Sequence, residues 1–142
     1  MTNLQLNDSA EVLATLPLFA GVSKRRRQKL VRQATRAHFA PGEAILSAVE
    51  YGSHLYVIIS GTVEVTSRPA VRILGAGDYF GELSLIDGRP RLVTAVALTD
   101  VELLELPSRS VLKLAREHSA FTLRIFRDLV PRLHQLEAHG AG

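Results

Sequence analysis

The sequence predicts an α+β fold in which a jelly-roll β-barrel lies between N-terminal helices and two helices that close the chain. Three observations predict it. Turn residues recur at short intervals between His38 and Leu106, at Pro41-Gly42, Gly52-Ser53, Ser60-Gly61, Arg68-Pro69, Gly75-Ala76-Gly77 and Asp87-Gly88, a rhythm that favours a barrel or sandwich of short strands. Both flanks of this region carry apolar residues at helical spacing instead. Gly81 opens a short helical segment inside the β region.

Residues 8–16 read as a short helix stopped by Pro17, whose ring cannot continue it. Ser23 is a good N-cap, and Leu30, Val31, Ala34 and Ala37 follow at helical spacing, so a second helix is expected from Ser23 to about Ala37. Strands are expected at 36–39, 43–46, 54–60, 62–67, 70–74, 92–97 and 101–106. The first closing helix starts near Ser108 and should bury Val111, Leu112, Leu114 and Ala115. The second begins near Ser119, with Phe121, Ile125, Leu129, Leu133 and Leu136 as its apolar stripe and Phe126 and Val130 beside it. Pro131 should remove one hydrogen bond and kink or split this helix, and residues 138–142 should fray.

With 142 residues and no linker or repeat, the chain is expected to be one domain, ordered over about 10–138. No stretch of eighteen apolar residues offers a transmembrane helix, and Met1-Thr2-Asn3-Leu4-Gln5 lacks the pattern of a secretory signal. The absence of cysteine excludes disulfides, thiolate metal sites and cysteine nucleophiles. A cytoplasmic location is the expectation. The five histidines (His38, His54, His118, His134, His139) show no paired metal-ligand spacing, so no metal is expected. The net charge of +3 permits anionic partners without requiring one. The one basic run, Lys24-Arg25-Arg26-Arg27, reads first as a solvated helix face. It lies at the positive end of the helix dipole, however, a weak pointer to an external anion.

The densest chemistry lies in residues 80–95. Gly81 lets a ligand approach the backbone, and the N–H groups of the first helical turn, near Leu83 and Ser84, point outward toward an anion. Glu82 offers a carboxylate acceptor for sugar hydroxyls, and Arg91 offers a guanidinium fork that matches phosphate oxygens. One loop thus combines a phosphate cradle, a cation and a ribose acceptor.

This loop resembles the phosphate-binding cassette of the cyclic nucleotide-binding domain family, the sensor module of the catabolite activator protein, cyclic-nucleotide-dependent kinases and cyclic-nucleotide-gated channels. Leu16-Pro17-Leu18-Phe19 with Gly21-Val22-Ser23, Phe39-Ala40-Pro41-Gly42-Glu43 and the run Leu55–Val65 resemble further family segments in the right order, as does 108–138 for the closing helices. The resemblance implies that Arg91 pairs with the exocyclic phosphate oxygens, that Glu82 accepts from the ribose 2′-hydroxyl, and that backbone N–H groups near Leu83 and Ser84 assist. The base would lie against strand residues, with Val63, Val65, Val71 and Ile73 as candidates. A residue of the last helix, Leu129, Arg132 or Leu133, would cap it. Leu92 and Val93 depart from the family's pattern of a small or hydroxyl residue followed by alanine. Without that hydroxyl, cyclic AMP should be preferred over cyclic GMP.

No nucleophile–base constellation is visible, and an enzyme is not expected. The leading reading is a regulatory module that binds a cyclic nucleotide and passes the event on through its last helix. It needs no other cofactor, and its partner would be an effector domain or a second copy met through that helix. Two alternatives stand beside it. The chain is the sensor part of a DNA-binding regulator, although it holds no helix-turn-helix of its own and so is not expected to touch nucleic acid. Or it is a degenerate interaction domain in which Leu92 and Val93 mark the loss of nucleotide binding.

Overall fold

Capping chemistry sets the start of the first helix, α1 (Asn3–Thr15). The Thr2 hydroxyl accepts from the Gln5 N–H at 3.2 Å while Gln5 Oε1 accepts from the Thr2 N–H at 2.9 Å. This reciprocal pair begins the helix five residues before the apolar spacing suggests. The structure, a computed structural model, describes residues 1–47, 49–50, 53–67, 70–82 and 91–140, without the side chains of 49–50, 91–92 and 132–140.

A 3₁₀ turn (Pro17–Phe19) leads to α2 (Lys24–Arg32), capped by the Ser23 hydroxyl on the Arg26 N–H. The expected continuation of α2 to Ala37 does not occur. Strand β1 (Thr35–Phe39) takes over, because its backbone is claimed by β10 (Val101–Pro107) in an antiparallel ladder from Thr35↔Glu105 to Phe39↔Val101. Helical spacing of small residues is weaker than a ladder of inter-strand bonds. Arg36 then ties the barrel to α1, donating to Glu102 at 2.6 Å and to Asp8 at 2.7 Å, and both carboxylates raise its already high pKa.

The remaining strands are β2 (Ala44–Leu46), β3 (Val49–Glu50), β4 (His54–Ser60), β5 (Val63–Ser67), β6 (Ala70–Leu74), β7 (Tyr79–Phe80), β8 (Arg91–Leu92) and β9 (Thr94–Ala97). They form two four-stranded antiparallel sheets, β1-β10-β4-β7 and β2-β9-β5-β6, and a β3-β8 pair. This is the jelly-roll arrangement of the expected α+β fold. The expected strands are all present, with residues 92–97 divided between β8 and β9. Strands β3 and β7 go beyond the expectation: two residues show no alternation, and only a partner strand defines them.

Strand β4 is apolar on both faces because it separates two cores. Leu55 and Val57 pack with Leu13, Phe19, Leu104 and Leu106 under the helices. Tyr56 and Ile58 pack with Val63, Val65, Phe80 and Leu103 inside the barrel. Helix α3 (Ser108–Glu117) seals the first core with Val111 and Leu114, and Leu112 and Ala115 pack at its edge. Helix α4 (Ser119–Gly140) adds Phe121, whose ring lies 5.5 Å from that of Phe19, and Ile125.

Helix α4 is not split at Pro131, and it extends to Gly140 where fraying was expected. Pro131 is solvent-exposed and lies beyond the last described buried residue, Leu129. Water can satisfy the carbonyl left without its usual donor, so the helix survives the missing bond. The side chains of Leu133 and Leu136 in the expected stripe lie outside the described residues, as does the expected Asp87-Gly88 turn.

Candidate functional site

Strand β7 delivers the site. Its Phe80 pairs with Tyr56 of β4, and the two rings stack at 4.9 Å. Gly81 follows with φ +95°, a conformation natural only to glycine. A Cβ there would stand 2.8 Å from the His54 carbonyl oxygen and 3.2 Å from the Tyr56 ring. The backbone turns sharply against β4 and leaves no side chain between itself and a ligand. Glu82 comes next, in helical conformation and 1% exposed. A carboxylate this deeply buried is unusual and needs polar company.

Arg91 and Leu92 form β8, where Arg91 pairs with Glu50 and Leu92 with Val49. Their backbone is thus anchored to the β3 ribbon, while their side chains lie outside the described residues, as do Leu83 and Ser84 altogether. Arg132 and Leu133 belong to α4 in the same way, as backbone positions only. Leu129 is buried.

The four candidates for the base divide by strand parity. Val63 and Val65 of β5 point into the barrel and are buried. Val71 and Ile73 of β6 point away from it, 54% and 58% exposed, between the inward-facing Ala70 and Leu74. Successive strand residues alternate faces, so the register Val65↔Arg72 puts Arg72, not its apolar neighbours, on the barrel side. Val71 and Ile73, expected beside the base, thus lie on the outer face of β6.

Arg72 is the functional candidate that sequence reasoning passed over. Burial pushes its guanidinium below the ordinary arginine range, and the nearby Asp78 and Tyr79 counter that effect. The signal was available in the sequence, since Arg72 sits two places from both Ala70 and Leu74, which form the buried face.

A second missed feature ties α4 to the site. The Tyr79 hydroxyl donates to Asp128 Oδ2 at 2.5 Å, joining the strand that runs into Gly81 to the last helix. Arg124 of α4 donates to the Leu18 and Ala20 carbonyls at 3.3 and 2.6 Å. Beside the tyrosine contact opens a cleft of about 410 Å³, bordered by Pro17, Gly77, Asp78, Tyr79, Asp128 and Pro131. Among the described residues no helix is long and apolar enough to cross a membrane.

Comparison with known proteins identifies relatives of this chain and its fold. Residues 36–118 match the family model described as the cyclic nucleotide-binding domain, more than half of the chain. A CRP-like cAMP-activated global transcriptional regulator of Mycobacterium tuberculosis is 29% identical over 131 residues, 88% of this chain and 58% of that protein. A cyclic nucleotide-gated potassium channel of Rhizobium etli is 36% identical over 97 residues, 68% of this chain and 27% of the channel. Among solved structures, the Thermus thermophilus catabolite activator protein superposes with a TM-score of 0.68 at 29% identity, covering 87% of this chain and 61% of that one. The chain therefore spans only part of each of these relatives.

Proposed function

This chain belongs to the cyclic nucleotide-binding domain family, and we propose that it is a non-catalytic cyclic AMP sensor that reports ligand binding through α4. The observation that carries the proposal is the Gly81-Glu82 step: a backbone bent at φ +95° against β4, followed at once by a buried carboxylate. A cyclic phosphate can approach the bare backbone at Gly81, with N–H groups of Leu83 and Ser84 as donors. Arg91 supplies the charged fork, and Glu82 accepts from the ribose 2′-hydroxyl. The base lies toward Val65 and Arg72 on the inner face, under a cap from Arg132 or Leu133. Calorimetric titration with cyclic AMP and cyclic GMP tests the reading. Tighter binding of cyclic AMP is expected, because Leu92 offers guanine no hydroxyl. No heat with either nucleotide would favour the degenerate-domain alternative.

Glu82→Gln should weaken cyclic AMP by about 1–2 kcal/mol, since a neutral acceptor remains for the sugar. The 2′-deoxy analogue is expected to lose affinity for the parent protein and little for the variant. Equal penalties in both would remove Glu82 from the ribose.

The Tyr79–Asp128 contact supports coupling to α4. It sits two residues before Gly81, so a shift of the cassette backbone moves the phenol and with it the grip on the helix. Tyr79→Phe should loosen helix docking by about 1–2 kcal/mol, the worth of a hydrogen bond to a partly solvated charged group. In the parent, residues 129–138 are expected to gain amide-exchange protection on binding cyclic AMP. In Tyr79→Phe the gain should shrink, and an undiminished gain would show that the tyrosine carries no signal. The outer face of α4 presents Leu123, Phe126 and Val130, all exposed and spaced by three and four residues. That seam suits a second copy or an effector helix as the receiver.

A further inference from the structure

The basic run at the start of α2 has no part in the nucleotide site, and the structure divides it among different tasks. Arg27 turns inward, donating to the Ala10 carbonyl at 3.2 Å and the Val22 carbonyl at 2.6 Å. Arg26 reaches across to the end of α3 and donates to the Glu117 carbonyl at 3.4 Å. One turn along, Lys29 shares a groove with Lys113 of α3, close enough for each amine to bear on the other's charge. That second amine holds Lys29 below the ordinary lysine range, helped by desolvation and Arg25, and the Glu117 carboxylate opposes the effect.

These groups border a cavity of about 70 Å³ between the two helices. Arg26, Lys29 and Lys113 line it together with a single carboxylate, Glu117, and the hydrogen-bonded pair Gln33 and Ser110 closes one end. The cavity is large enough for more than one water molecule. The lysines do not meet by choice of each other. Each neighbours in sequence a leucine, Leu30 or Leu114, that is buried as the helices pack. Apolar packing therefore forces two ammonium groups together, an arrangement that is repulsive when empty and attractive around a shared anion.

We propose that this groove is a second anion site, separate from the cassette, which takes a tetrahedral dianion of the phosphate class. Donors arriving from two helices suit an acceptor with oxygens on several sides, and two ammonium groups and a guanidinium exceed what one negative charge would balance. The site is independent of the nucleotide reading and stands or falls without it.

Inorganic phosphate, titrated against potassium chloride of the same ionic strength, tests the proposal, with backbone amide shifts over 26–33 and 110–117 as the readout. Saturable shifts are expected in the parent and equally in Arg91→Ala. In Lys29→Met/Lys113→Met the affinity should fall at least ten-fold, while the thermal midpoint in chloride holds or rises because the repulsion is gone. Glycerol phosphate in place of inorganic phosphate separates the sources: binding of the ester extends the site to phosphate monoesters, and no binding restricts it to the free ion. Shifts no larger than those in chloride would overturn the proposal. So would shifts that survive in the double variant, or that vanish in Arg91→Ala.

Discussion

Replacing Arg91 with alanine is expected to weaken cyclic AMP binding by about 2–5 kcal/mol, roughly thirty-fold or more. The magnitude comes from the anion, not from the contact alone. A phosphate drawn into the cassette loses much of its hydration, and without the guanidinium it is left charged and poorly paired. Arg91→Lys should recover only part of the loss, because an ammonium is a point donor and cannot form the two-pronged contact. The backbone of β8 is held by Val49 and Glu50 through the ladder, so unfolding should change little. Calorimetry on the three proteins decides the matter. Binding by Arg91→Ala within a factor of two of the parent would take the phosphate out of this loop.

Gly81→Ala should cost about 2–4 kcal/mol of stability, the sum of left-handed backbone strain and forced overpacking. The Cβ would lie 2.8 Å from the His54 carbonyl oxygen, and a strand carbonyl cannot swing aside as a flexible side chain can. Gly42→Ala provides the control: φ there is +86°, yet nothing lies within 4 Å of the added carbon. That variant should lose only the strain, about 1–2 kcal/mol. Denaturant unfolding of both gives the difference, and equal losses would show that the approach of Gly81 to β4 is not tight. Cyclic AMP affinity should fall in Gly81→Ala alone, because only that methyl lies at the phosphate cradle proposed above.

The barrel was legible because its signals are local. Turn residues such as Ser60-Gly61 and Gly75-Ala76-Gly77 punctuate runs whose apolar content leaves few other states. The proposed cassette could be read for a related reason: Gly81, Glu82 and Arg91 lie close along the chain, so their combination is visible without knowing the fold. Helix boundaries were less secure. The early start of α1 depends on Thr2 and Gln5 acting together, and the early end of α2 depends on β10, some seventy residues away. The outward setting of Val71 and Ile73 was not legible, because apolar character by itself does not say which face of a strand is the inner one. In β6 the inner face carries Ala70, Arg72 and Leu74, and Val71 and Ile73 face outward.

By itself the sequence determined the class of the fold, the positions of most strands along the chain and the local grouping of Gly81, Glu82 and Arg91 on which the proposed site rests. These follow from propensities, turn chemistry and periodicity, each of which acts within about ten residues. Tertiary structure alone decided which face of β6 meets the barrel, the Tyr79–Asp128 contact between β7 and the last helix, and the placing of Lys29 and Lys113 on one groove. Each joins elements remote in sequence, and each is set by how apolar surfaces pack. The charged and polar groups are carried to their places by leucines, valines and phenylalanines beside them, and no pattern within a single segment records where those neighbours will dock.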